Sequence, residues 1–179
     1  MRKKRILADY AHDVGADGKP SYRYEGPLYS LHAAPAAWKR YLLAAWLAPV
    51  LGLVLLIAMG LLNSEGTRVI YVALPYVSIF LPVFLLFGDA YKVTRARHPM
   101  RRAEYERSVV QMRRATVAAL VLSLCVLAGQ GVLLLVSGWN GVEFAFFACG
   151  LALSVLWAVF RRAQRAFVDA FLRVDAANA

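Results

Sequence analysis

Charge is missing from much of this chain. No Lys, Arg, Asp, Glu or His occurs from Tyr41 to Ser64, from Val69 to Gly88, from Ala115 to Asn140, or from Phe144 to Phe160. Charged residues make up only 18% of the 179, against 60% hydrophobic. A soluble domain usually carries about 25% charged residues. A helix that is apolar on every side needs lipid or a very large core around it. "YLLAAWLAPVLGLVLLIAMGLL" and "ATVAALVLSLCVLAGQGVLLLV" have no polar side. A chain of this length cannot enclose them, which excludes a soluble four-helix bundle.

Other things are scarce too. The two cysteines, Cys125 and Cys149, lie singly in apolar segments. They read as buried, reduced thiols, and they supply neither a disulfide framework nor a metal site. No HExxH, Walker A, GxSxG or CxxC pattern occurs. The histidines His12, His32 and His98 are far apart and in polar segments. His98 has Asp89 and Glu104 near it in sequence, which is the one place where an enzyme site at the membrane face could assemble. The apolar runs hold no ionisable residue, and such residues mark pathways and active sites in membrane proteins. The expectation is a non-enzymatic protein with no catalytic residue, cofactor or metal. The first apolar run starts only near Tyr41, too late and too long for the core of a signal peptide, so it is expected to stay as an anchor.

What is present is a set of membrane spans. A bilayer core about 30 Å thick needs roughly 20 helical residues. The pattern reads as an all-α membrane protein whose four transmembrane helices form two hairpins. The expected spans are about 38–62, 69–88, 115–136 and 142–160, within a transmembrane domain at 38–160. A cytoplasmic arm (1–37), a loop (89–114) and an amphipathic C-terminal helix (161–179) complete the plan. Helices three and four are expected to extend into the cytoplasm. The two hairpins share a plan, although their side chains match poorly.

The basic residues orient this plan. "GDAYKVTRARHPMRRAEYERSVVQMRR" (88–114) carries eight Lys or Arg and three acids. The arm up to Arg40 has eight bases and four acids, and the tail from Arg161 has four Arg and two Asp. The segments 64–68 and 137–143 carry no excess of base. Lys and Arg near helix ends stay cytoplasmic. Both termini and the central loop are therefore expected on the cytoplasmic side, and the Ala- and Arg-rich composition points to a bacterial inner membrane. The same charge favours anionic lipid headgroups. It comes without any nucleic-acid motif, so no nucleic-acid partner is expected.

Several residues stand out as candidates. Pro75 and Pro82 lie seven apart in the second span with Ser78 between them, and each removes a backbone donor. They suggest a hinge or a cavity wall. Gln130 is the strongly polar side chain of the later spans, suited to an interhelical hydrogen bond or a ligand contact. Tyr22, Tyr24 and Tyr29 belong to an arm segment that reads as a short surface strand or hairpin. Together with Arg95, Arg97, Arg101, Arg102, Arg161, Arg162 and Arg165 they are the candidate contacts for a partner or lipid at the cytoplasmic face. Pro99 suits the first turn of the third helix. The leading expectation is an accessory or scaffold subunit of a membrane protein. The alternative is a small carrier or channel subunit, acting as an oligomer, with the Pro75–Pro82 helix lining a cavity.

Overall fold

The computed structural model describes residues 10–14, 20–24, 26–31, 35–96, 99–137, 140–168 and 171–174. Three strands come first: β1 (Tyr10–Val14), β2 (Pro20–Tyr24) and β3 (Leu28–Leu31). Helix α1 (Pro35–Leu61) follows, with Pro35 at its first position, where a missing N–H costs nothing. It runs unbroken through Pro49. Past its end Asn63 takes a left-handed conformation, φ 48°, which asparagine tolerates better than most residues. Ser64 then caps a short 3-10 turn (Glu65–Arg68) by accepting a hydrogen bond from the Gly66 N–H at 3.0 Å.

Helix α2 (Ile70–Arg95) contains Pro75 and Pro82, both buried, and does not break at either. It also continues seven residues past Gly88, where charge first appears. The physical reason is that its inward face continues, through buried Asp89, Ala90 and Val93. Lys92 and Arg95 in the last turn suit the negative end of the helix dipole. The two-residue strand β4 (Met100–Arg101) follows. Helix α3 then starts as Arg102–Tyr105, widens into a π turn over Glu106–Val110 and continues as Gln111–Ser137. Pro99 therefore lies ahead of the helix rather than in its first turn. Strand pairing of Met100 with Tyr29 and full burial of the Met100 side chain delay the helix start.

Asn140 opens α4 (Gly141–Val168), its side-chain oxygen accepting from the N–H groups of Val142 and Glu143 at 2.8 and 3.0 Å. The sequence pattern suggests helix from 161 to 179. The helix instead stops at Val168, and Phe171–Val174 forms β5. The open edge of β3 offers this segment a row of backbone partners, and pairing there displaces the helical reading.

β3 is the centre of a three-stranded antiparallel sheet in the order β4-β3-β5. Leu28 and Tyr29 face Arg101 and Met100, while Leu28 to Leu31 face Val174 to Phe171. β1 and β2 pair separately, from Tyr10 opposite Tyr24 to Val14 opposite Pro20. The larger sheet joins three distant segments: the approach to α1, the α2–α3 connection and the chain after α4.

All four helices are long and apolar enough to cross a membrane. α1 packs on α2 and α4, α2 on α3, and α3 on α4, closing a ring. Leu56, Met59, Ile79, Phe146, Leu153 and Trp157 are fully buried inside it. Only 33%, 39%, 33% and 33% of the most apolar stretch of each successive helix is buried. The outward remainder includes Leu61, Leu81 and Leu135, which water would not tolerate in such numbers. Four such helices make the chain a small multi-pass integral membrane protein. Cys125 is exposed on this outer surface and Cys149 is half-buried, so the cysteines are not core residues as the sequence suggested. A thiol is apolar enough for a lipid-facing position.

Gly52 and Gly88 test the packing in opposite ways. A Cβ on Gly52 would lie 2.5 Å from the Trp157 ring, whereas one on Gly88 meets nothing within 4 Å. Gly52→Ala is expected to destabilise the fold by about 1–3 kcal/mol through overpacking. Gly88→Ala is expected to stabilise it by about 0.5–1 kcal/mol through helix propensity. Thermal unfolding of both variants in one detergent checks the contrast.

Candidate functional site

At the sheet end, aromatic stacking fastens the strands to the bundle. Tyr29 stacks on Tyr105 with ring centres 4.3 Å apart, and Tyr41 stacks on Phe167 at 4.0 Å. Trp38 stacks on both Tyr41 and Phe167. The Tyr41 hydroxyl donates to the Met112 sulfur at 3.4 Å. One turn deeper, the Gln164 amide donates to Thr116 Oγ1 at 3.0 Å, between α4 and α3.

A recess of about 470 Å³ opens at this end between the close of α2 and the start of α3. Lys92, Arg95 and Arg107 bring positive charge to it, and Tyr91 and Glu104 also line it. The Arg95 guanidinium sits over the Tyr91 ring, 4.7 Å from its centre. Lys92 Nζ reaches back 2.8 Å to Asp89 Oδ1. Asp89 is wholly buried, and its second oxygen has no hydrogen-bond partner among the described residues. Glu104 accepts from the Arg101 N–H at 3.3 Å, and Arg102 pairs with Glu106 at 3.3 Å. A second basic groove lies between α3 and α4, where Arg161, Arg162 and Arg165 surround Leu120 and Ala158.

The basic candidates thus fall into two groups. Arg95 lines the α2–α3 recess, and Arg161, Arg162 and Arg165 line the α3–α4 groove. Arg101 sits on β4 beside β3. Tyr22 and Tyr24 lie on β2 opposite His12 and Tyr10. Arg97 and His98 fall outside the described residues.

The membrane candidates separate in the same way. Ser78 and Pro82 line an open trough between α2 and α3, together with Arg114 and Ala118. Pro75 is buried in the bundle and lies outside that trough. The Ser78 hydroxyl donates to the Leu74 carbonyl of its own helix at 2.7 Å. Gln130 belongs to the opposite end of the molecule.

There it joins a polar knot whose hub is Glu143. This carboxylate is buried and accepts from Ser64 Oγ at 2.6 Å, the Glu65 N–H at 2.7 Å and Gln130 Nε2 at 2.5 Å. The α1–α2 turn, α3 and α4 therefore meet on one side chain. Gly66 makes room for it, since a Cβ there would lie 2.1 Å from Gln130 Oε1. Glu143 does not stand out in the sequence, and Asp89 does so only as a neighbour of His98, which lies outside the described residues. Asp89 looked like the first residue of a loop, and Glu143 like a lone acid in a turn. The spacing of Asn140 and Glu143 does match a helix start, but it gives no hint that the carboxylate turns away to Ser64 and Gln130.

Hydrogen bonds to a charged group contribute about 1.5–3 kcal/mol each. Gln130→Leu is expected to lower stability by roughly that amount, and Gly66→Ala to lower it as well by displacing the same amide. Ser123→Ala serves as the reference, because Ser123 bonds only to Leu120 of its own helix at 2.9 Å among the described contacts. Detergent melting curves that rank Gln130→Leu no lower than Ser123→Ala would remove the knot's assigned role.

No protein-family model, curated protein or solved structure matches this chain.

Proposed function

We propose that this integral membrane protein is a non-enzymatic accessory or scaffold subunit that binds a membrane partner through the basic surface at its sheet end. Its helices form two hairpins, with both termini and the α2–α3 connection in the cytoplasm of a bacterial inner membrane. The observation that carries the reading is the three-stranded sheet. It gathers the three basic segments of the chain at one end of the bundle, where Lys and Arg mark the cytoplasmic side. The opposite end holds Glu143 and the short turn with one acid and one base.

The interior polar groups support a structural use of the bundle over a transport path. Thr116, Ser123 and Ser154 each donate to a carbonyl of their own helix. Gln130 is held in the knot. A carrier needs polar groups free to meet substrate near the midplane.

Co-purification of the tagged full chain from native membranes in mild detergent is the direct test. A stoichiometric membrane partner is expected. Arg161→Gln, Arg162→Gln and Arg165→Gln combined should lose most of it while the bundle still melts cooperatively. Recovery of the chain alone, as a symmetric oligomer that moves a solute in vesicles, would overturn the reading in favour of a carrier. Labelling of single engineered cysteines in whole cells checks the orientation: a cysteine at Arg68 should react with an impermeant reagent, and one at Arg40 should not.

A further inference from the structure

The α2–α3 seam carries more than a basic recess. Along α2, Ser78, Leu81, Leu85, Gly88, Lys92 and Arg95 recur at helical spacing and lie on one face. Along α3, Glu104, Arg107, Gln111, Arg114, Ala118 and Leu122 do the same. The recess and the apolar trough therefore lie one after the other along the seam. The trough has a volume of about 340 Å³. Gly88 stands between the two parts, exposed, with open space where a side chain would be. Seventeen residues separate Ser78 from Arg95, a rise of roughly 25 Å, which is the scale of one leaflet.

The two ends differ in chemistry. The recess presents Lys92, Arg95 and Arg107; Lys92 is paired with Asp89, and Glu104 is the carboxylate among the lining residues. Arg95, Arg107 and Arg114 have no carboxylate partner among the described residues. Arg107 also lies in the π turn, a local widening that recurs at functional sites. The trough is apolar, floored by Pro82 and Ala118 and walled by Leu81 and Leu85, with Arg114 at its edge.

We propose that this seam is a binding site for one anionic phospholipid. The headgroup phosphate sits on Arg95 and Arg107, and an acyl chain passes Gly88 into the trough. Charge complementarity selects the occupant: with Lys92 paired to Asp89, Arg95 and Arg107 against Glu104 still leave a net positive recess, which favours a lipid of net negative charge over a zwitterionic one. The proposal rests on the membrane reading and on the sheet end lying at a headgroup layer.

The test uses the full chain reconstituted with equal amounts of phosphatidylglycerol and phosphatidylcholine of matched chains. Bound lipid is read by native mass spectrometry after release into mild detergent. One phosphatidylglycerol per chain should persist. Arg95→Gln with Arg107→Gln should weaken it roughly twenty-five-fold, from about fivefold per cation. Gly88→Leu should expel it with no change of charge and with the bundle still folded. Arg40→Gln, an exposed cation on α1 outside the seam, should leave binding unchanged. Equal retention of both lipids, an equal loss with Arg40→Gln, or full retention by Gly88→Leu would each overturn the site. A carbonate wash separates the two readings. Release of the protein from membranes would sink the membrane reading along with the site. Firm retention without lipid preference would sink the site alone.

Discussion

Everything in this fold depends on the absence of water along the flanks of the helices. In hydrocarbon, a polar group without a partner costs several kcal/mol, so it must be satisfied inside the protein. Most of the described contacts follow that constraint, while Trp157 Nε1 and the Oε1 atoms of Gln130 and Gln164 are buried without a hydrogen-bond partner among the described residues. The hydroxyls of Thr116, Ser123 and Ser154 bond to their own helix. Longer side chains instead reach between helices: Trp46 to Thr94, Tyr76 to the Leu56 carbonyl, and Gln164 to Thr116. These are the contacts that hold particular helices together. Apolar surface cannot do so alone, because lipid tails are as apolar as leucine.

The two ends of the bundle solve the same problem differently. At the turn end a single carboxylate, Glu143, gathers donors from the α1–α2 turn, from α3 and from the backbone. At the other end, backbone pairing in the β4-β3-β5 sheet does the joining, backed by stacked aromatic rings. Both devices tie segments far apart in sequence. Ser64 and Glu143 are 79 residues apart, and β3 and β5 lie at opposite ends of the chain.

This arrangement gives the prolines of α2 a plain physical role. Both are buried, and the helix continues through them. The trough that Pro82 borders faces outward, toward the lipid, between α2 and α3. The basic recess next to it sits where the seam leaves the apolar zone. Function, on this view, belongs to the surface of the bundle and its basic end, with a packed interior as support.

The sequence by itself determined the class of protein and the extent of its membrane segments. Charge-free runs of about 20 residues can be accommodated only as spans, and all four appear as helices within a few residues of those runs at the apolar ends. It also marked Gln130 as a polar side chain that needed a partner, and the tyrosine-rich arm as strand-like. Only the tertiary structure decided where polar groups found partners. Asp89 and Glu143 look like ordinary loop acids in sequence, because burial depends on which helix lies opposite. The end of α4 and the start of α3 were decided in the same way. Residues 171–174 and Met100 fit a helical period, but β3 gave their backbones long-range partners that no local pattern records. The α2–α3 seam likewise needs two helix faces in register, and only the packing of one helix against the other sets that register.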